Sequence, residues 1–150
     1  MDLESQAADF LAHHRTASLA TVDAQQHPHG ANIQYVHDPD LCLYWVSSPD
    51  SAHSQHLLSR PCVALTIYDH DDAALQIHGL QMRGHAQPLT DLTDRMNAQQ
   101  RYLSKFTDLA NHPNLCAAVD AQTFYRFTPT WLRWIDNRRG FGFKIEKQWP

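Results

Sequence analysis

Residues 75–89 (LQIHGLQMRGHAQPL) read as one long strand with glycines at 79 and 84. That is well beyond the usual strand of ~5–6 residues. Glycine inside a strand marks a bulge or the close approach of another backbone or a ligand. A long strand that bends in this way suits a small antiparallel barrel, whose staves must turn corners to close.

The rest of the chain supplies the other staves. Residues 16–23 (TASLATVD) and 30–37 (GANIQYVH) form a predicted hairpin around a polar turn, and Asp38-Pro39-Asp40 leads into an apolar strand over 41–46. The continuous apolar run 62–68 (CVALTIY) predicts a strand buried on both faces. Residues 123–127 and 131–136 predict two strands broken at Thr128-Pro129.

Helices fill the gaps. Leu3, Ala7, Phe10, Leu11 and His14 recur at helical spacing. Thr90 is the expected cap of a helix with Asp91 and Asp94 in its first turn and Leu92, Met96, Leu103 and Phe106 as its apolar stripe. A further helical turn is expected within 111–120, and residues 69–72 read as a turn. Six or seven strands with a few helices give a mainly β (α+β) domain: an antiparallel barrel with peripheral helices, one domain over 1–150.

Composition narrows the function. The formal charge is −4, without a basic block, which argues against nucleic acid as a main partner. No apolar run reaches the ~20 residues of a membrane span, and the acidic start MDLESQAADF is no secretory leader. Cys42, Cys62 and Cys116 lack CxxC spacing. Cys42 and Cys62 fall in predicted buried strands and read as small apolar residues of a reducing, cytoplasmic compartment. Eleven histidines are many for this length, yet no HExxH or Cys/His framework accompanies them, so no protein-only metal site is expected.

Chemistry concentrates in residues 41–61 (LCLYWVSSPDSAHSQHLLSRP). After the apolar strand come Ser47, Ser48 and Ser51, with Pro49-Asp50 as turn chemistry and a short helix from near Ser51 to before Pro61. A helix start offers unpaired N–H groups and partial positive charge, so Ser47, Ser51 and His53 beside it make a phosphate cradle. The same pattern is also that of an ordinary N-cap with spare serines.

The order of parts resembles a known family. It runs helix, hairpin, apolar strand, Ser-x-His at a helix start, Arg-Pro-Cys-Val-Ala-Leu at 60–65, and a long strand ending Arg83-Gly84-His85-Ala86. The late segment Phe127-Thr-Pro-Thr-Trp-Leu-Arg-Trp-Ile-Asp136 and the tail through Lys144 complete it. The chain is similar to the pyridoxamine 5′-phosphate oxidase-like, FMN-binding split-barrel superfamily, to a branch of small bacterial proteins within it. The resemblance implies a six-stranded split barrel that forms a homodimer with FMN at the interface. It implies phosphate contacts from Ser47, Ser51 and His53, and an isoalloxazine lined by Ala31, Asn32, Ile33, Gln34 and Tyr35, largely through backbone groups. His78 and Gly79 fall near a polar flavin contact, and Trp134 would approach from the late strand. The family pattern at the phosphate is Ser-x-Lys, whereas this chain has Ser51-Ala52-His53. The Arg and His that hold substrate in the oxidase proper have no match in residues 137–144, so pyridoxal phosphate synthesis is not expected.

Three functions follow from this reading. The first is a flavin-binding protein acting as a small-molecule oxidoreductase, in which no catalytic residue is assigned. The second is a haem- or other cofactor-binding module of the same fold. The third is a split-barrel dimer with an interaction role and no cofactor.

Overall fold

The computed structural model describes residues 2–69 and 73–150. Its elements in order are α1 (Leu3–His13), β1 (Thr16–Val22), β2 (Pro28–Gln34), β3 (Val36–His37), β4 (Leu43–Ser47), α2 (Ala52–Ser59) and β5 (Cys62–Tyr68). They continue with β6 (His78–Pro88), α3 (Leu92–Lys105), α4 (Thr107–Ala110), α5 (Pro113–Asp120), β7 (Thr123–Asp136) and β8 (Lys144–Gln148). The sheet runs β2-β1-β5-β6-β7-β4-β3, all antiparallel, with β8 added on β7.

The first and last strands of that order are one segment, since only Tyr35 separates β2 from β3. The sheet therefore curls back onto itself. Among the described residues there are eight strands where six are expected. The ring proper has six staves once β2 and β3 count as one, and β8 lies outside it. The fold is an α+β split barrel.

The glycines of the long strand sit where backbones crowd. A Cβ on Gly84 would lie 2.1 Å from the Thr128 carbonyl oxygen and 2.8 Å from the Phe127 ring. The β6–β7 register shifts between Arg83 and Gly84, so Gly84 pairs with Pro129. This bulge explains why Thr128-Pro129 does not break β7 in two: proline cannot donate to a ladder, and a bulge is where a strand tolerates it. A Cβ on Gly79 would come within 2.3 Å of the Ile67 carbonyl oxygen of β5. Gly79 thus serves strand–strand contact.

The interior is one apolar cluster. It joins Leu19, Ile33, Leu43, Trp45, Leu65, Met82, Phe127 and Trp134 with Ala7, Phe10 and Leu11 of α1, which plugs the barrel. Burying Phe10 alone is worth about 1.5–3 kcal/mol. A second cluster, Val36, Leu89, Ala98, Tyr102, Phe106, Val119 and Phe124, seats α3 and α5 against the β3–β4 side.

Several expectations are corrected. Asp91, not Thr90, caps α3, accepting from the Asp94 amide at 3.0 Å. Leu92 (70% exposed) and Met96 (59%) face outward, while Ala98 and Tyr102 are buried. The helix is turned toward the ring partners of Tyr102, Phe106 at 4.6 Å and Phe124 at 5.8 Å. Leu41 has φ of 63°, so β4 starts two residues later than its apolar run. Residues 62–68 alternate buried and exposed along β5, because no helix covers the outer face there. Cys62 is accordingly exposed and Cys42 half-buried, and neither is a core residue. Of the predicted turn over 69–72, residues 70–72 lie outside the described residues.

Candidate functional site

The hydroxyl-rich stretch folds into one local group. Ser47 ends β4, and the turn that follows is pinned by the Ser51 amide donating to the Ser48 carbonyl at 3.2 Å. The Ser51 hydroxyl donates to that same carbonyl at 2.8 Å and lies 2.7 Å from the Oγ of fully buried Ser54. It does not cap the helix, so the first-turn N–H groups of α2 are left without an N-cap side chain. His53 Nε2 sits 3.1 Å from Ser47 Oγ and 3.3 Å from Ser51 Oγ. Of the three residues predicted to face a phosphate, His53 therefore touches both serines. Their donor chemistry suits an oxyanion: hydroxyls, an imidazole and uncapped amides. The α2 group does not waste its polar atoms while waiting for one.

Two more histidines border the group. The His29 ring of β2 meets the His56 ring of α2 edge-on, centroids 5.3 Å apart, and His56 Nδ1 lies 2.9 Å from Thr21 Oγ1. Burial first, then His29 and His56, holds the His53 imidazole below its ordinary pKa. His53 is thus predominantly neutral at pH 7, unlike a lysine at the same place. Among the described residues, no group of three His, Cys, Asp or Glu side chains is placed to hold a metal ion.

Residues 31–35 divide by face. Asn32 and Gln34 point outward and line a groove of about 660 Å³ with Thr16, Ser18, Thr66 and Tyr68, and Ser18 Oγ donates to Asn32 Oδ1 at 3.1 Å. Ala31 is half-buried, and Ile33 and Tyr35 point into the core. The Tyr35 hydroxyl donates to the Leu11 carbonyl at the end of α1 at 2.9 Å, and burial pushes its pKa up. The Tyr35 side chain therefore ties the plug helix to the barrel, and only its backbone lies on the strand edge.

His78, Gly79 and Trp134 form a separate group beneath α1. The Phe10 ring packs edge-on to Trp134 at 5.2 Å and to His78 at 5.7 Å. His78 Nδ1 lies 2.7 Å from the Gln76 carbonyl and Nε2 3.6 Å from Asp69. Trp134 is 2% exposed, and its Nε1 is buried without a partner. No hydrogen bond or ring contact among the described residues joins this group to Ser47, Ser51 and His53.

Sequence reasoning missed a second polar region. Between α3 and the β3–β4 edge lies a cleft of about 810 Å³ that includes His37, Arg101 and Lys105. Its only local signal was Arg101 and Lys105 one helical turn apart on a helix whose phase was misread.

The geometry agrees with the relatives of the chain. The family model for pyridoxamine 5′-phosphate oxidase matches residues 3–136. Solved structures with this fold include a conserved hypothetical protein of Mycobacterium tuberculosis, with TM-score 0.78 and 19% identity over 93% of this chain and 88% of that one. The haem storage protein HutZ of Vibrio cholerae aligns with TM-score 0.70 and 19% identity over 86% and 91% of the two chains. A Listeria innocua protein provisionally described as a pyridoxamine 5′-phosphate oxidase aligns with TM-score 0.69 and 18% identity over 90% and 99%. No curated protein matches the sequence.

Proposed function

Because the chain belongs to the pyridoxamine 5′-phosphate oxidase family, we propose that it binds FMN and acts as a small-molecule oxidoreductase. The observation that carries this reading is His53 Nε2 seated between Ser47 and Ser51 at the uncapped start of α2. These residues would hold the flavin phosphate. When bound, FMN supplies reversible electron transfer at its isoalloxazine, and the protein supplies orientation and electrostatics. Asn32 and Gln34, accessible on the outer face, would border the ring system together with the edge backbone of residues 31–35. Pyridoxal phosphate synthesis is not part of the proposal.

The assembly in this reading is a homodimer. The outer face of β1, β5, β6 and β7 carries small or polar residues (Ser18, Ala20, Ala64, Thr66) beside the larger Arg83 and Trp131. Among the described residues no helix packs over them, so this face is open to a second barrel. Sedimentation equilibrium at micromolar concentration should give twice the chain mass. A clean monomer removes the shared site.

Haem is the second reading, favoured by a structural neighbour that is a haem storage protein. An absorbance spectrum of freshly purified protein separates the possibilities. Flavin gives two bands in the near-ultraviolet and blue, haem gives a Soret band, and an interaction protein without cofactor gives neither. The decisive titration uses flavin fluorescence with FMN and riboflavin. FMN should bind more tightly, and equal binding would reduce the Ser47–His53 group to a helix cap.

A further inference from the structure

We propose that Cys62 and His85 form a thiol–imidazole pair that exchanges with small anionic disulfides, leaving a mixed disulfide on Cys62. The pair shares no residue with the Ser47–His53 group and depends on neither the flavin nor the dimer reading.

Strand register builds the pair. Cys62 of β5 lies directly opposite His85 of β6, and both residues are exposed. Cys62 Sγ stands 3.5 Å from His85 Nδ1. A thiol is a poor nucleophile until it ionises, and an adjacent imidazole is a group that can take its proton. Cys62 is the first residue of β5, beyond Ala64 and Thr66, so it stands at the end of the outer face rather than in its middle.

The other two thiols are placed differently. Cys42 is half-buried, its Sγ is 4.0 Å from the Thr128 hydroxyl, and burial, then Asp38, pushes its pKa up. Cys116 is half-buried on α5. Of the three, Cys62 alone is exposed.

The surroundings select the charge of the reactant. A cleft of about 510 Å³ opens beside the pair, with Ala20, Ala64, Arg83 and Trp131 among its walls. No Asp or Glu is among its described lining residues, so no carboxylate there opposes a thiolate or an anionic ligand. The Arg83 guanidinium of β6 stacks 4.2 Å from the Trp131 ring centroid and has no carboxylate partner among the described residues. Arg133 of β7 and Glu146 of β8 also reach Trp131, but they pair with one another at 2.6 Å. Arg60, just before β5, turns away to the Ala24 carbonyl at 3.5 Å. The uncompensated charge at the cleft is therefore that of Arg83.

The step balances with the disulfide as the sole reactant. The Cys62 sulfur, its proton passed to His85, attacks one sulfur of the disulfide. That S–S bond breaks, a new one forms to Cys62, and the departing thiolate takes up the proton. Cys62 is oxidised and the departing half is reduced.

The probes are glutathione disulfide and the uncharged hydroxyethyl disulfide, added to the reduced protein in its native assembly. Intact mass follows the adduct and peptide mapping locates it. Glutathione disulfide should add once, at Cys62. Cys62→Ser should abolish the adduct, and Cys42→Ser should keep it. His85→Gln, an exposed change, should slow addition about tenfold at pH 7. Its rate should meet that of the unaltered protein by about pH 9.5, above the ~8.5 of a free thiol, where ionisation needs no base. A merely structural His85 would not give that convergence. Arg83→Gln should slow glutathione disulfide several-fold and leave hydroxyethyl disulfide unchanged. No adduct, addition first at Cys42 or Cys116, or a His85→Gln rate reduced equally at both pH values would overturn the assignment. Equal slowing of both probes by Arg83→Gln would overturn the preference for an anionic reactant.

Discussion

The group at the start of α2 and the cleft beside α3 handle polar chemistry in opposite ways. At α2 every hydroxyl finds a partner within a few residues: Ser51 with Ser48 and Ser54, His53 with Ser47. Its imidazole is driven toward neutrality. At α3, among the described residues, two cations lack counter-charges and a buried ring nitrogen lacks any partner. The first region satisfies its own polar atoms, so a ligand there would have to displace internal hydrogen bonds. The second leaves a buried ring nitrogen unsatisfied within its own fold.

Both regions hang on one barrel, and the sharpest way to break the comparison is to break that frame. Gly84→Val should cost more than about 3 kcal/mol, since its side chain meets backbone at the β6–β7 bulge where nothing can move aside. Gly30→Ala, with nothing within 4 Å of the new Cβ, should stay within about 0.5 kcal/mol. Urea denaturation measures both. Equal tolerance would mean that the bulge does not shape the barrel.

His53→Lys sharpens the α2 side. A permanent cation between Ser47 and Ser51 should tighten FMN about tenfold at pH 8, near 1.4 kcal/mol, and leave riboflavin unchanged. Fluorescence titration of both ligands checks this. Equal gains for the two flavins would place the phosphate elsewhere.

Tyr35→Phe sharpens the α3 side. The lost hydroxyl bond to Leu11 should cost about 1 kcal/mol in thermal or urea unfolding, because Lys105 still serves that carbonyl. A negligible change would mean that the plug helix is held by packing alone.

The difference between the regions also explains what could be read in advance. The α2 group is contiguous in sequence, and turn residues, a helix start and a terminating proline announce it. The barrel was legible for a similar reason: glycines in a long strand and period-two burial are local signals. The α3 cleft was not. Arg101 and His37 are far apart in the chain, and they meet because α3 turns Ala98 and Tyr102 inward rather than Leu92 and Met96. Periodicity cannot separate two phases of a helix that carries apolar residues on both. Tyr35 shows the same limit. Its place in the strand was correct, but its role in holding α1 depends on Leu11, which no spacing rule connects to it. The unbroken β7 depends on a bulge at Thr130, which only its pairing with Arg83 and Gly84 of β6 reveals.

The smallest effect tests whether the α2 group binds by exchange. Burial and the neighbouring His29 and His56 hold His53 below its ordinary pKa before ligand arrives. Ser47 from β4 and Ser51 from the turn add dipoles, and Thr21 of β1 engages His56. A phosphate dianion favours the imidazolium, so binding takes up a proton, and FMN affinity should rise as pH falls from about 8 toward 6. The second ionisation of the phosphate, near ~6, removes ligand charge and opposes the rise at the acid end. The profile should therefore show a shallow maximum of a few-fold. The same depressed pKa makes the free protein bind fewer protons than its unfolded chain below about 7, so its stability should fall slightly with acid, and His53→Gln should remove that slope. His53→Lys should flatten the alkaline side of the FMN profile, and riboflavin should show no profile in either protein. A flat FMN curve in the unaltered protein would mean that His53 stays neutral with ligand bound, and that the hydroxyls and amides of the α2 start carry the phosphate without it.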